Sequence, residues 1–358
     1  MKSPSIACLG AAALFLRAAA LGADPGTSPD QVLLKDFKPK SIFKVPETRV
    51  EKARFAAIDM HSHNSADAAE WVKTMDAVGV EKTVILAGTT GARLDQDLAK
   101  FGKFPGRFEV WCGIDYKGFD QPGFGPAAIA ELERCHKAGA AGIGELSDKG
   151  RGLGATSTNL GMHVDDPRMD AILEKCAGLR MPINIHVGED KWMYEPMDHN
   201  NDGLMNAWTW RVRLDRGVIG HDEVVDSLER AVKKHPRTTF IACHFANCCA
   251  DLNHLGTMLD QHPNLYADMG ARFAEIAPIP RFMARFFQRY QDRLLYGTDM
   301  HPDAEMYRVT FRLLETEDEH FYPPYFSQYH WPHYGIGLPE PVLKKIYREN
   351  ALRIFSTR

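Results

Sequence analysis

No run of lysines and arginines appears anywhere in the sequence, and its formal net charge is −4, from 43 basic and 47 acidic residues. That balance excludes the dense positive face that binding to nucleic acid calls for. Outside the N-terminus no apolar stretch is long enough to cross a bilayer, so no stable membrane span is expected once a leader is removed. Paired Cys-x-x-Cys spacing is absent too. Cys248 and Cys249 are adjacent, which does not suit a zinc ribbon. Cys112, Cys135, Cys176 and Cys243 sit in apolar or helical contexts typical of small buried residues, leaving room for one disulfide at most. No internal repeat beyond a strand–helix alternation is visible.

The first residues read as an address. Lys2 precedes an apolar stretch over residues 6–16, followed by small residues as far as Ala23. This predicts a signal peptide over residues 1–23 and export to the periplasm or beyond the cell. Residues 24–54, with Pro, Lys and Ser and little periodicity, read as an N-terminal arm. Residues 55–358 read as one domain.

Within that domain short apolar runs alternate with amphipathic helical patterns. The runs are "FAAIDMH" (55–61), "KTVILAG" (82–88), "FEVWCGI" (108–114), "AGIGELS" (141–147), "PINIHVG" (182–188), "TTFIACHFA" (238–246), "NLYADMG" (264–270) and "RLLYGTDM" (293–300). Continuous apolarity suits strands buried on both faces. Helical stretches such as "DAAEWVKTMDAVG", "DEVVDSLERAVKKH" and "PRFMARFFQRYQ" lie between them. Eight strand–helix units predict a parallel sheet closed into a (β/α)₈ barrel. Two segments stand apart. One is a long loop after strand 5, about residues 189–237. The other is an aromatic- and proline-rich segment after strand 8, "HFYPPYFSQYHWPHYGIGLPEP".

The polar residues then fall at one end. Strand 1 ends with Asp59, His61 and His63, strand 4 with Glu145, strand 5 with His186, strand 6 with His244 and strand 8 with Asp299. In barrel enzymes this is the end that carries chemistry. Singly these are weak signals, since a His in an apolar strand is often a hydrogen-bonded core residue. Together they are not, because burying two carboxylates and four imidazoles is costly without compensation. A divalent cation compensates, and imidazole with carboxylate is the donor set of Zn²⁺, Mn²⁺, Ni²⁺ or Fe²⁺. Zn²⁺ is the first expectation, at one or two ions per chain.

In order, "IDMHSH", "GIGELS", "INIHVGE", "ACHFAN" and "LLYGTDMH", with a closing "YRENALRIF", resemble the amidohydrolase superfamily, and more closely the amidohydrolase-2 family of TIM-barrel metal-dependent hydrolases. The resemblance implies metal ligands at His61, His63, His186 and Asp299. It implies a second-metal or catalytic role for His244 and a bridging carboxylate at Glu145. Glu145 tilts the expectation to hydrolysis of an amide, ester or lactone of a small molecule. Asp299 would then serve as proton carrier to a metal-activated water, with His244 beside the scissile carbonyl. The alternative on the same scaffold is a metal-dependent non-oxidative decarboxylase of an aromatic or unsaturated acid. A non-catalytic barrel is the third reading.

Arg272 and His301 are candidate substrate contacts, the first as a carboxylate clamp, though a surface salt bridge and a turn-stabilising role are the plainer alternatives. Asp59 is a candidate for orienting a ligand from behind. Trp192, Tyr194, Trp208 and Trp210 would wall a pocket or pack a lid. A small-molecule substrate is the partner expected, and a homo-oligomer is compatible with the sequence.

Overall fold

The computed structural model describes residues 28–325 and 328–356. The signal peptide expected over residues 1–23 lies outside them. The chain divides into two units, Met1–Phe37 and Lys38–Arg358. In the first, two short turns, Pro29–Gln31 and Leu34–Asp36, are the only regular elements among the described residues. In the second, Thr48 and Ala53, from the stretch read as a linker or an arm wrapped on the domain, bond to the barrel. The Asp318 carboxylate accepts bonds from Thr48 N and Oγ1, and Ala53 N donates to Val78 O.

The second unit is a (β/α)₈ barrel. Its first half runs β1 (Ala57–Ser62), α1 (Ala68–Val78), β2 (Val80–Leu86), α2 (Gly91–Phe101), β3 (Phe108–Trp111), α3 (Phe124–Ala138) and β4 (Ile143–Asp148). Next come α4 (Asp170–Leu179), β5 (Ile183–Val187), α5 (Leu204–Trp210), α6 (His221–Lys234), β6 (Phe240–Ala242), α7 (Leu252–Gln261) and β7 (Leu265–Asp268). The last part is α8 (Phe273–Ile276), α9 (Pro280–Arg289), β8 (Leu294–Leu295), α10 (Ala304–Glu315), α11 (Glu340–Lys344) and α12 (Asn350–Ser356). All strand pairs are parallel, in a sheet of β1 to β3 and a sheet of β4 to β8. Backbone bonds close the ring at both seams. Gly144 N donates to Cys112 O at 2.8 Å between β3 and β4, and Met60 N donates to Tyr296 O at 2.9 Å between β1 and β8.

The helices form as their apolar spacing dictates. In α6 the buried residues Val224, Val225, Leu228, Ala231 and Val232 make one stripe against the strands. Asp67, Asp251 and Asp303 cap α1, α7 and α10 through carboxylates that accept first-turn N–H groups. Ile58, Met60, Val84, Leu86, Trp111, Ile241 and Leu295 form a separate small core, against which α12 packs Ala351 and Ile354. The terminal pattern expected as one helix is interrupted by a π turn at Lys345–Glu349. All six described cysteines are buried and unpaired, so the disulfide that export would permit is not formed among them.

Asp59 is where the seam and the barrel mouth meet. Its carboxylate accepts from His61 N at 3.2 Å, Thr298 N at 3.0 Å, Thr298 Oγ1 at 2.7 Å and Tyr307 OH of α10 at 3.0 Å. Burial pushes its pKa up to about 6 against the lowering effect of these donors. Replacing Asp59 by Ala leaves several buried donors without an acceptor. We expect Asp59→Ala to lose about 3 kcal/mol in urea unfolding, and a loss below about 0.5 kcal/mol would contradict this account of the seam.

Candidate metal centre

The register of β1 against β2 shifts between Asp59 and Ser62. Such an irregularity re-aims side chains, and it separates two residues expected to share a face. Asp59 turns to α10, while the His61 ring enters the mouth and meets His244 with ring centres 4.9 Å apart. Asp59 therefore does not touch a ligand ring; it holds the backbone of His61 and of Thr298, next to Asp299. His61 fits only because two neighbours lack a side chain. A Cβ on Gly297 would lie 2.8 Å from His61 Cβ, and one on Gly270 would lie 2.9 Å from His61 Nδ1.

Four imidazoles share one design. His61 Nδ1 donates to Asp268 Oδ2 at 3.0 Å, His63 Nδ1 to Leu86 O at 2.9 Å, His244 Nδ1 to Gly270 O at 2.6 Å and His186 Nε2 to Gly188 O at 2.8 Å. One nitrogen of each ring is tied to the scaffold, and the other turns to the carboxylates. His63 Nε2 lies 3.1 Å from Asp299 Oδ1 and 3.4 Å from Glu145 Oε2. His186 Nδ1 lies 2.9 Å from Glu145 Oε1, and His244 Nε2 lies 3.3 Å from the same oxygen. His61 Nε2 lies 3.6 Å from Asp299 Oδ1 and 3.9 Å from Glu145 Oε1, and it is fully buried without a hydrogen-bond partner.

Six positions around the mouth, four of them consecutive, reach this geometry through left-handed backbone. His244, Phe245, Ala246 and Asn247 all have φ between 54° and 58°, and Ala271 and Asp299 have φ of 51° and 50°. Each such non-glycine residue costs about 1–2 kcal/mol, and here the turn swings His244 back over the end of β6. Glycine at Gly88, which follows β2, has a φ of 61° and carries no such cost.

The electrostatics follow from burial against these contacts. Burial favours neutral imidazole, yet Asp268, Asp299 and Glu145 outweigh it at His61 and raise its pKa to about 9. Hydrogen bonds to Asp299 and Glu145 outweigh burial at His63, raising it to about 10. His186 is likewise raised, by Glu145 and Glu189, whereas His244 is lowered by burial and by repulsion from His186 and Arg272. Burial opposes ionisation of Glu145 and Asp299, but the surrounding imidazoles hold both well below the usual carboxylate range.

The residues fit a divalent cation. His61, His63 and Asp299 each offer a donor atom within 4.8 Å of the others, as do His61, Glu145, Cys243 and His244. The orphaned Nε2 of His61, buried beside two carboxylates, is placed to be satisfied by a bound cation. A cation would take the place of the protons that two carboxylates now hold on His61 and His63.

The sequence reading did not single out Asp268, although its run "NLYADMG" ends on it. Asp268 also accepts from His244 N, Gly270 N and Asn184 Nδ2, and so fixes two of the four imidazoles. Cys243, read as packing, donates to Asn184 Oδ1 at 2.6 Å beside the cluster. Arg272 is placed differently from a free clamp. It is buried, with Asp190 Oδ2 at 2.8 Å from Nε, Asn247 Oδ1 at 3.2 Å from Nε, and Glu275 Oε1 at 3.7 Å from NH1. His301 is exposed on the loop after β8 and does not line the cavity below. Trp192 and Tyr194 pack inward, while Trp208 and Trp210 are more than half exposed.

A cavity of about 360 Å³ opens on this cluster, and its lining includes Asp299, His186 and His244 together with Lys149, Met193, Trp210 and Arg272. A family model described as amidohydrolase matches residues 50–357. The chain belongs to the amidohydrolase family. No curated protein matches it. Three solved structures resemble this amidohydrolase-family barrel. A 2,6-dihydroxybenzoate decarboxylase from Rhizobium is 16% identical, with 84% of this chain and 99% of that one covered and a TM-score of 0.52. A dihydroxybenzoic acid decarboxylase from a Polaromonas species, with bound manganese and the inhibitor 2-nitroresorcinol, is 14% identical over 84% and 97%, with a TM-score of 0.53. A TIM-barrel protein of uncharacterized function from Bordetella bronchiseptica is 17% identical over 84% and 98%, with a TM-score of 0.52.

The expectation of a hydrolase is corrected here. Those of the three neighbours that are named for a reaction are decarboxylases. The residue that tilted the expectation to hydrolysis was Glu145, and its place in the cluster is compatible with either chemistry. Membership of the family does not by itself decide the reaction. Among the described residues no helix is long and apolar enough to cross a membrane.

Two outcomes test the cluster. Because His61 and His63 carry protons that a cation must displace, apparent affinity for Mn²⁺ rises with pH toward about 9, by at least about tenfold per unit between pH 6 and 8, in chelator competition. A flat profile would show that these imidazoles are not ligands. Asp268→Asn removes the carboxylate behind His61, and metal affinity should fall about 10–100-fold with the fold retained by circular dichroism.

Proposed function

We propose that this protein is a metal-dependent, non-oxidative decarboxylase of a small aromatic carboxylic acid. The observation that carries the reading is the cavity. It joins an imidazole–carboxylate cluster to an indole wall at Trp210 and a cation at Lys149, the surfaces that a ring and its acidic substituent require. The dihydroxybenzoate decarboxylases built on the same fold support it.

His61, His63, Glu145, His186, His244 and Asp299 are the residues proposed to hold the ion. The donor set admits zinc or manganese, and manganese is the ion we favour because a neighbour of this fold contains it. When bound, the ion supplies Lewis acidity that fixes the oxygen donors of the acid in the cavity.

The chain's own residues then do the proton work. Asp299 is ionised before the acid arrives, and its side chain remains 22% exposed, enough to reach the cavity. It takes up the proton that the acid brings and returns it to the ring carbon as the bond to the carboxylate breaks. The ring gains hydrogen and carbon dioxide leaves, so atoms and charge balance. His244 Nε2 stands 3.8 Å from Asp299 Oδ2, with its ring locked by Gly270 O. Its low proton affinity keeps it from competing for the transferred proton. Met193, which is buried, and Trp210 offer apolar surface to the ring.

The test is a panel of hydroxybenzoic acids incubated with manganese-loaded protein, with carbon dioxide and the decarboxylated arene both quantified. At least one acid should yield equal amounts of the two, and Asp299→Asn should lower kcat by about 100-fold or more, with metal content measured on the same sample. If no acid in the panel releases carbon dioxide from fully loaded protein, the proposal fails.

A further inference from the structure

A second cavity, of about 460 Å³, shares Lys149, Glu189 and Trp210 with the first. Its remaining wall combines three arginines, Arg151, Arg211 and Arg213, with Thr209, Val212 and Val218, and Asp215 is the other acid. None of these three arginines has a carboxylate within ion-pair distance among the described residues. Arg211 lies over the Trp208 ring at 4.3 Å and donates to Trp208 O, and Arg151 donates to Thr156 O. Asp215 likewise forms no ion pair among the described residues, and Glu189 is already taken by Lys149 and His186. Arginines elsewhere in the barrel, such as Arg134, Arg168 and Arg312, are matched to nearby acids. Others, such as Arg93, Arg216 and Arg281, also lack an ion pair among the described residues; what distinguishes Arg151, Arg211 and Arg213 is that all three line one cavity.

Unmatched guanidinium groups beside a ring-sized cavity have a specific chemical use. They offer forked donors to a carboxylate, sulfonate or phosphate. The two cavities share Lys149, Glu189 and Trp210 as a common wall, so an acidic group at the second would lie beside a ring held against the indole. Lys149 lies 5.1 Å from the Trp210 ring centre and stands at the junction.

We propose that Arg151, Arg211 and Arg213 form an anion subsite for a second acidic group of the substrate, so that the preferred aromatic acid is a dianion. The proposal deepens the reading of the first cavity as an aromatic-acid site and rests on it for the identity of the ring. The subsite itself is independent of turnover, because it lies outside the metal cluster.

The experiment is calorimetric titration of the full-length protein, with and without Mn²⁺, using benzoate, isophthalate and a biphenyl dicarboxylate as a monoanion, a short dianion and a long dianion. At least one dianion should bind tenfold or more tightly than benzoate. The double variant Arg151→Gln/Arg213→Gln should abolish that ratio and leave benzoate within twofold. Equal weakening of benzoate and dianions would reveal only general attraction and overturn the subsite. So would dianions that bind the wild type no better than benzoate. A dianion preference without carbon dioxide release from any acid would uphold the subsite and sink the decarboxylase reading. Carbon dioxide release without a dianion preference would do the reverse.

Discussion

Everything at the mouth of this barrel depends on holding four imidazoles with one nitrogen each against the scaffold. A free imidazole beside two carboxylates would rotate, change tautomer and take whichever proton was available. Here Leu86 O, Gly188 O, Gly270 O and the Asp268 carboxylate each fix one ring nitrogen. The opposite nitrogens then have no choice but to face Glu145 and Asp299. Three of the four anchors are backbone carbonyls at strand ends, so the orientation of the rings is inherited from the sheet itself. Asp268 is the exception, and its burial makes it the more demanding one. Its charge is stabilised by His61 and by donors from His244 N, Gly270 N and Asn184.

The same constraint explains why the backbone is strained where it is. Leaving β6 in an ordinary right-handed turn would not return His244 to the axis within one residue of the strand. The left-handed residues 244–247 do so, and Asn247 then holds the turn by donating to Val187 O and accepting from Arg272. Asp299 takes a left-handed conformation for a related reason: its N–H donates to His61 O at 2.7 Å, which ties the carboxylate to the strand that carries the two histidines. Strain of this kind persists only where neighbouring contacts over-determine it.

The order of strands and the set of polar strand ends were legible in the sequence because both obey simple periodicities. Apolar runs such as "KTVILAG" correspond to β2, and "INIH" carries His186 to the end of β5. Less legible were features that depend on what lies opposite in space. Asp268 ends its strand as Asp299 and Glu145 end theirs, yet nothing local distinguishes a carboxylate that anchors an imidazole from one that faces a cation. Asp59 sits two residues from His61, and alternation alone places them together; the register shift in β1, invisible in the sequence, separates them. The choice between hydrolysis and decarboxylation was not readable either, because Glu145 supplies a carboxylate to the cluster and leaves open which bond is cleaved.

Arg272 shows how burial decides what a charged residue is for. Its guanidinium lies against the cavity, which would suit a substrate clamp, but Asp190, Glu275 and Asn247 surround it, and removing it would leave acids buried without a counter-ion. Glu275 remains difficult to ionise even so, with a pKa raised to about 7 by burial, and it accepts a hydrogen bond from Tyr329 OH at 2.8 Å. Asn206 of α5 donates to that same hydroxyl, and Trp331 stacks on Tyr329 at 4.3 Å while its indole donates to Ala274 O. The long loop after β5 and the aromatic segment after β8 are thus fastened to each other and to α8 by one buried polar chain. A roof held in this way is rigid where it covers Arg272 and open where Trp208, Trp210 and their arginines reach solvent.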